Sequence, residues 1–235
     1  MGCIKSVADD VTVSIRSLNV LPVGASAKDL LSDEKYRSLF VEVHYMKGAE
    51  PHPEAIAALR KFLNERLHKP DGITIYTQEI PTSKDTILTK ENIAAIEDTY
   101  RTKYTTDDEI AVYILFANGE FIDHRILGTA YRNTSAALFG RHIRENSNLF
   151  KKPSRTYVET LVLQHEMAHL LGLVNIGSPV QTDHVDYGHG KHCINKHCLM
   201  YCLTDTEDYP SILIKKTPPS LDDDCLNDLR ANGGK

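Results

Sequence analysis

Apolar positions along this chain recur either at helical spacing or in short strand-like runs, and the switches between the two mark out its elements. Leu39 to Tyr45 is rich in β-branched and aromatic residues and predicts a strand. From Pro51 to His68 the spacing changes to helical, through Ile56, Leu59, Phe62, Leu63 and Leu67, until Pro70-Asp71-Gly72 breaks it. Ile73 to Tyr76 predicts a second strand, and Asn92 to Tyr104 a second, more polar helix. Ile110 to Phe116 is apolar throughout, as expected of a strand buried on both faces, and Asn118-Gly119 then signals a turn. Two short strands are expected at Leu127 to Tyr131 and Ser135 to Phe139. A helix follows from Ser154, an N-cap candidate behind Pro153, with apolar positions at Tyr157, Val158, Leu161, Val162, Met167, Leu170 and Leu171. Strands alternating with helices in this order imply an α/β fold on a mostly parallel sheet.

Length and composition narrow the organisation. The 235 residues, 41% hydrophobic and 25% charged, fit one ordinary globular domain. We place that domain at 33–235, dividing it at 172/173 into N-terminal and C-terminal subdomains, and read 1–32 as a tail or tether. Val11, Val13 and Ile15 alternate weakly there, like a short strand. A net charge of −5 without a basic stripe argues against nucleic acid. No run approaches the length of a membrane span. Met1-Gly2-Cys3 nonetheless fits lipid attachment, on Gly2 by myristoylation or on Cys3 as in a bacterial lipoprotein. The expectation is a monomer, lipid-anchored and extracytoplasmic; the alternatives are an ordinary polar tail and a cytoplasmic protein.

The chemistry is concentrated in the helix after Ser154. His165 and His169 stand four residues apart, so both imidazoles share one face and can reach one metal ion. Zinc suits them, since it takes neutral imidazole nitrogen at about 2.0–2.1 Å. Glu166 projects beside the metal position, where a general base for a zinc-bound water belongs. Gly172 can adopt the left-handed conformation needed to end the helix. The competing reading is a buried amphipathic helix bearing two histidines by chance. A glutamate-flanked pair is costly to bury without a metal, which favours the site.

The run His165-Glu166-x-x-His169-x-x-Gly172, followed later by His192-Cys193-x4-Cys198-x-Met200, resembles the archaemetzincins among the metzincin zinc proteases. That resemblance implies a twisted, mostly parallel sheet with an antiparallel edge strand, for which Leu127 to Tyr131 is the candidate. It also implies an active-site helix and a methionine turn at Met200 in the C-terminal part, forming an apolar floor under the metal. Metzincins place the third ligand three residues after the glycine, but Asn175 stands there, and an amide oxygen ligates zinc poorly. The third ligand is therefore sought among His192, favoured by the family spacing, and His184 and His189, which lie in an insertion. Asp183 or Asp186 would orient a ligating imidazole. Four clustered cysteines, Cys193, Cys198, Cys202 and Cys225, are read as a second, structural zinc site or as disulfides. In the family's four-cysteine pattern the last position is Asp228 here, and Cys202 is additional.

The function expected is a zinc-dependent metallopeptidase acting on a peptide or protein substrate, with Glu166 as base and one catalytic zinc. Tyr201 is a weaker candidate for oxyanion binding. The alternative is a zinc-binding surface or interaction protein without turnover, for which an intact Glu166 would have no use.

Overall fold

A computed structural model describes residues 16–145, 147, 153–202 and 217–235. The expected strand around Val11 to Ile15 and the lipidation candidates Gly2 and Cys3 lie outside the described residues. Helix α1 (Ala27–Leu31) leads into β1 (Ser38–Met46), α2 (Pro53–Asn64) and β2 (Gly72–Ile80). Then come β3 (Ile87–Leu88), α3 (Lys90–Tyr100), β4 (Glu109–Ala117) and β5 (Glu120–Phe121). The series closes with β6 (Gly128–Arg132), β7 (Ser135–Phe139), α4 (Gly140–Glu145), α5 (Arg155–Leu170) and α6 (Asp223–Ala231).

The main sheet has the order β2-β1-β4-β7-β6, parallel except for β6, which runs antiparallel to β7 at one edge. The α/β reading and its antiparallel edge therefore hold. Strand β4 is central, and its side chains alternate between two buried faces. Ile110, Val112, Ile114 and Phe116 pack with α2 and α5, while Tyr113, Leu115 and Ala117 pack with Ile93 of α3. This two-sided burial explains the uninterrupted apolar run. A small second sheet, β3 beside β5, was not anticipated, because two-residue strands carry no periodic signal.

Two stretches depart from expectation. Residues 19–32, read as part of a tether, are packed against the body from Asn19 onward. Asn19 is fully buried and bonds Thr105 and Thr134 at 3.0 and 2.9 Å, and Ala27, Leu30 and Leu31 join the core. The anchors there are buried amides, which a hydrophobic pattern does not register. The helix α6 was also missed, although Asp222 caps it by accepting from the Cys225 amide, with Asp223 and Asp224 in its first turn. No helix among the described residues is long and apolar enough to cross a membrane.

Candidate active site

Helix α5 is fixed at both ends by its sequence. The Ser154 hydroxyl accepts from the Tyr157 amide at 3.1 Å, capping the N-terminus. At the other end Gly172 turns left-handed at φ 88°, and the Leu173 and Gly172 amides bond the Ala168 and His169 carbonyls. This double closure satisfies the last carbonyls and reverses the chain directly after His169. A side chain at residue 172 would collide with the Ser178 backbone, so the turn also needs glycine for space.

The reversal brings a distant loop over the helix. The imidazoles of His165, His169 and His192 converge, each offering a nitrogen within 4.8 Å of the others. His165 and His169 ring centres are 4.7 Å apart, and His192 lies 5.3 Å from both. In every ring Nδ1 is already engaged by a backbone carbonyl. His165 bonds Leu199 O at 2.8 Å, His169 bonds Leu173 O at 2.9 Å, and His192 bonds Gly190 O at 2.9 Å. A carbonyl can only accept, so each Nδ1 carries the proton and each Nε2 keeps a free lone pair. That tautomer is the one a metal requires, and carbonyl partners of this kind orient ligating histidines. Burial holds all three rings neutral: it lowers His165 to about 4, His169 well below its ordinary value, and His192 in the same direction. Three neutral imidazoles with lone pairs turned inward match the donor set of an open zinc site.

Glu166 is buried beside them. Its Oε2 accepts from the Ala130 amide of edge strand β6 at 2.7 Å. Burial raises its carboxyl to about 8, against the Ala130 N–H, which favours the charged form. Glu166 can therefore exchange a proton near neutrality, as a general base must. The glutamate is wedged against Gly128, where an added Cβ would sit 3.0 Å from Glu166 Cγ and 2.5 Å from Val162 Cγ1. Sequence reading did not single out Gly128. Its only signal was a glycine at the start of the candidate edge strand, a common mark of close approach. A cavity of about 280 Å³ opens over the histidines, walled by β6 on one side and by Val158, Leu161 and Val162 on the other.

The other expected site residues separate. His189 is half exposed and bonds Asp186 at 2.7 Å, so Asp186 orients a surface histidine rather than one of the three converging rings. Asp183 accepts from the Tyr187 hydroxyl, and Asn175 is exposed at φ 60°. His184 sits in a different cluster, with Cys193, Asp222 and Cys225. Met200 is wholly buried in the core next to Leu199, whose carbonyl holds His165. Tyr201 is half-buried and is not among the residues lining the cavity. None of the four described cysteines is in a disulfide; Cys198 and Cys225 sulfurs stand 3.6 Å apart, too far for a bond.

No family model and no curated protein sequence matches the chain. Among solved structures, its fold is similar to that of archaemetzincin from Methanopyrus kandleri, at TM-score 0.47 and 15% identity over 84% of this chain and 95% of that one. It is also similar to metalloproteinase-II from Bacteroides fragilis, at TM-score 0.47 and 14% identity over 86% of this chain. This chain spans 54% of the Bacteroides protein.

Proposed function

We propose that this chain is a zinc-dependent metallopeptidase whose zinc is held by His165, His169 and His192 through Nε2. The observation that carries the proposal is the set of three imidazoles, each with Nδ1 committed to a carbonyl and each offering a ring nitrogen within 4.8 Å of the others. A protein that used these histidines only for packing would have no reason to turn three imidazole lone pairs toward one another. When bound, zinc supplies a Lewis acid that acidifies a water and polarises the scissile carbonyl.

The protein residues supply the rest. Glu166 takes the proton of the attacking water at a carboxylate oxygen and returns it to the leaving amine. The Ala130 amide holds Oε2 in place meanwhile, so the base does not swing out of the cavity. Strand β6 ends the sheet, and its outer edge can pair with an extended peptide, adding main-chain hydrogen bonds without demanding a sequence. Val158, Leu161 and Val162 offer an apolar wall for one side chain next to the cleaved bond. Met200 serves as an apolar support beneath the histidines, keeping Leu199 in register with His165.

The test is Glu166→Gln. Peptide hydrolysis should fall about 10²–10⁴-fold while zinc content and thermal stability stay near wild type. Equal cleavage by both proteins would remove Glu166 from the mechanism. If neither cleaves a broad peptide library although the three histidines hold zinc, the non-catalytic zinc-binding reading replaces this one.

A further inference from the structure

The cavity over the histidines carries charge of one sign. Lys90, Arg125 and Lys191 all line it, and Glu166, the base, is the single acid among its described lining residues. That balance runs against a chain of net charge −5. Neither Lys90 nor Lys191 forms an ion pair among the described residues. Arg125 is braced by Asp123, through Nε at 3.2 Å and Nη2 at 3.0 Å.

Local structure gives neither lysine a reason to be there. Lys90 is the first residue of α3, where a positive charge meets the positive end of the helix dipole. Lys191 adopts φ 62°, a left-handed conformation that glycine takes at less cost. Residues that their own backbone disfavours, yet that line a site, point to what binds there.

The cations divide along the cleft. Gly128 approaches Val162 and Glu166, and Ala130 bonds Glu166, so β6 and α5 advance in the same direction. Arg125, just ahead of β6, therefore lies at the Val158 and Leu161 end of the cavity. Lys90 joins it there, because it is two residues past Leu88, whose carbonyl accepts from the Ile122 amide at 2.9 Å. Lys191 stands toward the opposite end, beside His192, and its carbonyl accepts from the Val174 amide at 3.4 Å. A peptide added antiparallel to β6, the more stable of the two pairings, runs from Lys191 toward Lys90 and Arg125. Its C-terminal half meets the pair of cations.

Resting on the peptidase reading above, we propose that the cleft selects anionic peptides. A carboxylate about one to three residues past the cleaved bond is held by Lys90 and Arg125, beyond the apolar wall of Val158, Leu161 and Val162. It is a glutamate or aspartate side chain or the peptide's own C-terminus, since the two cations read the same group in each. Lys90, the unpaired charge, determines the selectivity.

Fluorescence anisotropy of zinc-loaded Glu166→Gln protein with short acetylated peptides measures this without turnover. The peptides hold glycine, serine and glutamine around one leucine. One has glutamate two places after the leucine and an amidated end; a second has glutamine there, amidated; a third ends at that glutamine with a free carboxylate. A fourth has glutamate two places before the leucine, and a fifth lysine two places after it, both amidated. The first and third should bind about 3–10-fold tighter than the second at low salt, and the gap should close at high salt. The tighter of those two names the source of the carboxylate. Lys90→Glu should reverse the preference, so that the lysine peptide binds more tightly than the first. Equal binding of the first three, binding of none, a stronger preference for the fourth, or an unreversed preference in Lys90→Glu would overturn the proposal. Hydrolysis by the wild type is scored separately: charge-selective binding without cleavage of any peptide would sink the peptidase reading and leave the selectivity standing.

Discussion

Replacing Gly128 by alanine is the sharpest probe of how the base is positioned. The new Cβ would lie 3.0 Å from Glu166 Cγ, 3.1 Å from Oε1 and 2.5 Å from Val162 Cγ1. Carbon atoms settle at about 3.5–4.0 Å, so Glu166 must retreat by about 0.5 Å and Val162 by about 1 Å, or β6 must move outward by a similar amount. Either motion stretches the 2.7 Å bond between Ala130 N and Glu166 Oε2, which now fixes the carboxylate. A misplacement approaching 1 Å at a reacting group costs on the order of 10²-fold in rate. Overpacking adds a destabilisation of about 1–3 kcal/mol. Gly128→Ala should therefore lower kcat on a peptide substrate about 10²-fold and keep its zinc, because the nearest atoms to the new methyl group belong to Val162 and Glu166 and not to a histidine. Adding Val162→Ala removes the closest clash and should recover much of the stability, but little of kcat, since the contact with Glu166 persists. The assays are kcat and KM on one peptide, zinc content by atomic absorption, and thermal unfolding. An unchanged kcat in folded Gly128→Ala would refute the idea that this glycine sets the position of Glu166.

Zinc titration against a chelator should separate the loop histidines: His192→Ala weakens binding at the histidine site sharply, whereas His189→Ala, which removes a surface pair with Asp186, leaves it near wild type. A result in which His189→Ala is the more damaging would displace His192 as the third ligand. The metal-free protein should be acid-sensitive. His165 titrates at about 4 when folded and near 6.5 when unfolded, so the unfolded chain binds the proton more tightly. The stability is complete above about pH 6.5 and is lost as pH falls toward 4, by about 3 kcal/mol from this residue, with His169 acting in the same direction. Urea unfolding of chelator-treated protein between pH 7 and 4 measures it; a flat profile would mean the imidazoles are not held neutral by burial. Gly172→Ala should lower Tm by several degrees, since it forces a side chain into left-handed backbone at φ 88° and against Ser178. Unchanged Tm would show that the turn after His169 can relax.

What the sequence determined by itself is what periodicity and local chemistry encode. The strand at Ile110 to Phe116 was legible because burial on both faces leaves no polar position. The helix carrying His165, Glu166 and His169 was legible because Ser154 caps it, Gly172 ends it, and a spacing of four puts two side chains on one face. The antiparallel edge at β6 followed from the resemblance and from a short run of strand formers. Everything that depends on chain segments meeting across long loops was decided by the tertiary structure. Three histidines competed for one place, and their spacing alone could not say which imidazole the loop turns inward. His192 joins His165 and His169 because the Gly172 reversal and the turn at Leu199 bring it there, while His189 pairs with Asp186 at the surface. Asp228 looked like a missing cysteine; folded, it is the carboxylate that aims His184 at the thiols. Gly128 and Asn19 were silent because a glycine wedged under a glutamate, or a buried amide joining Thr105 to Thr134, leaves no periodic trace. Hydrophobic patterns record which face of an element is buried, and they carry nothing about which polar groups will meet once those faces have packed.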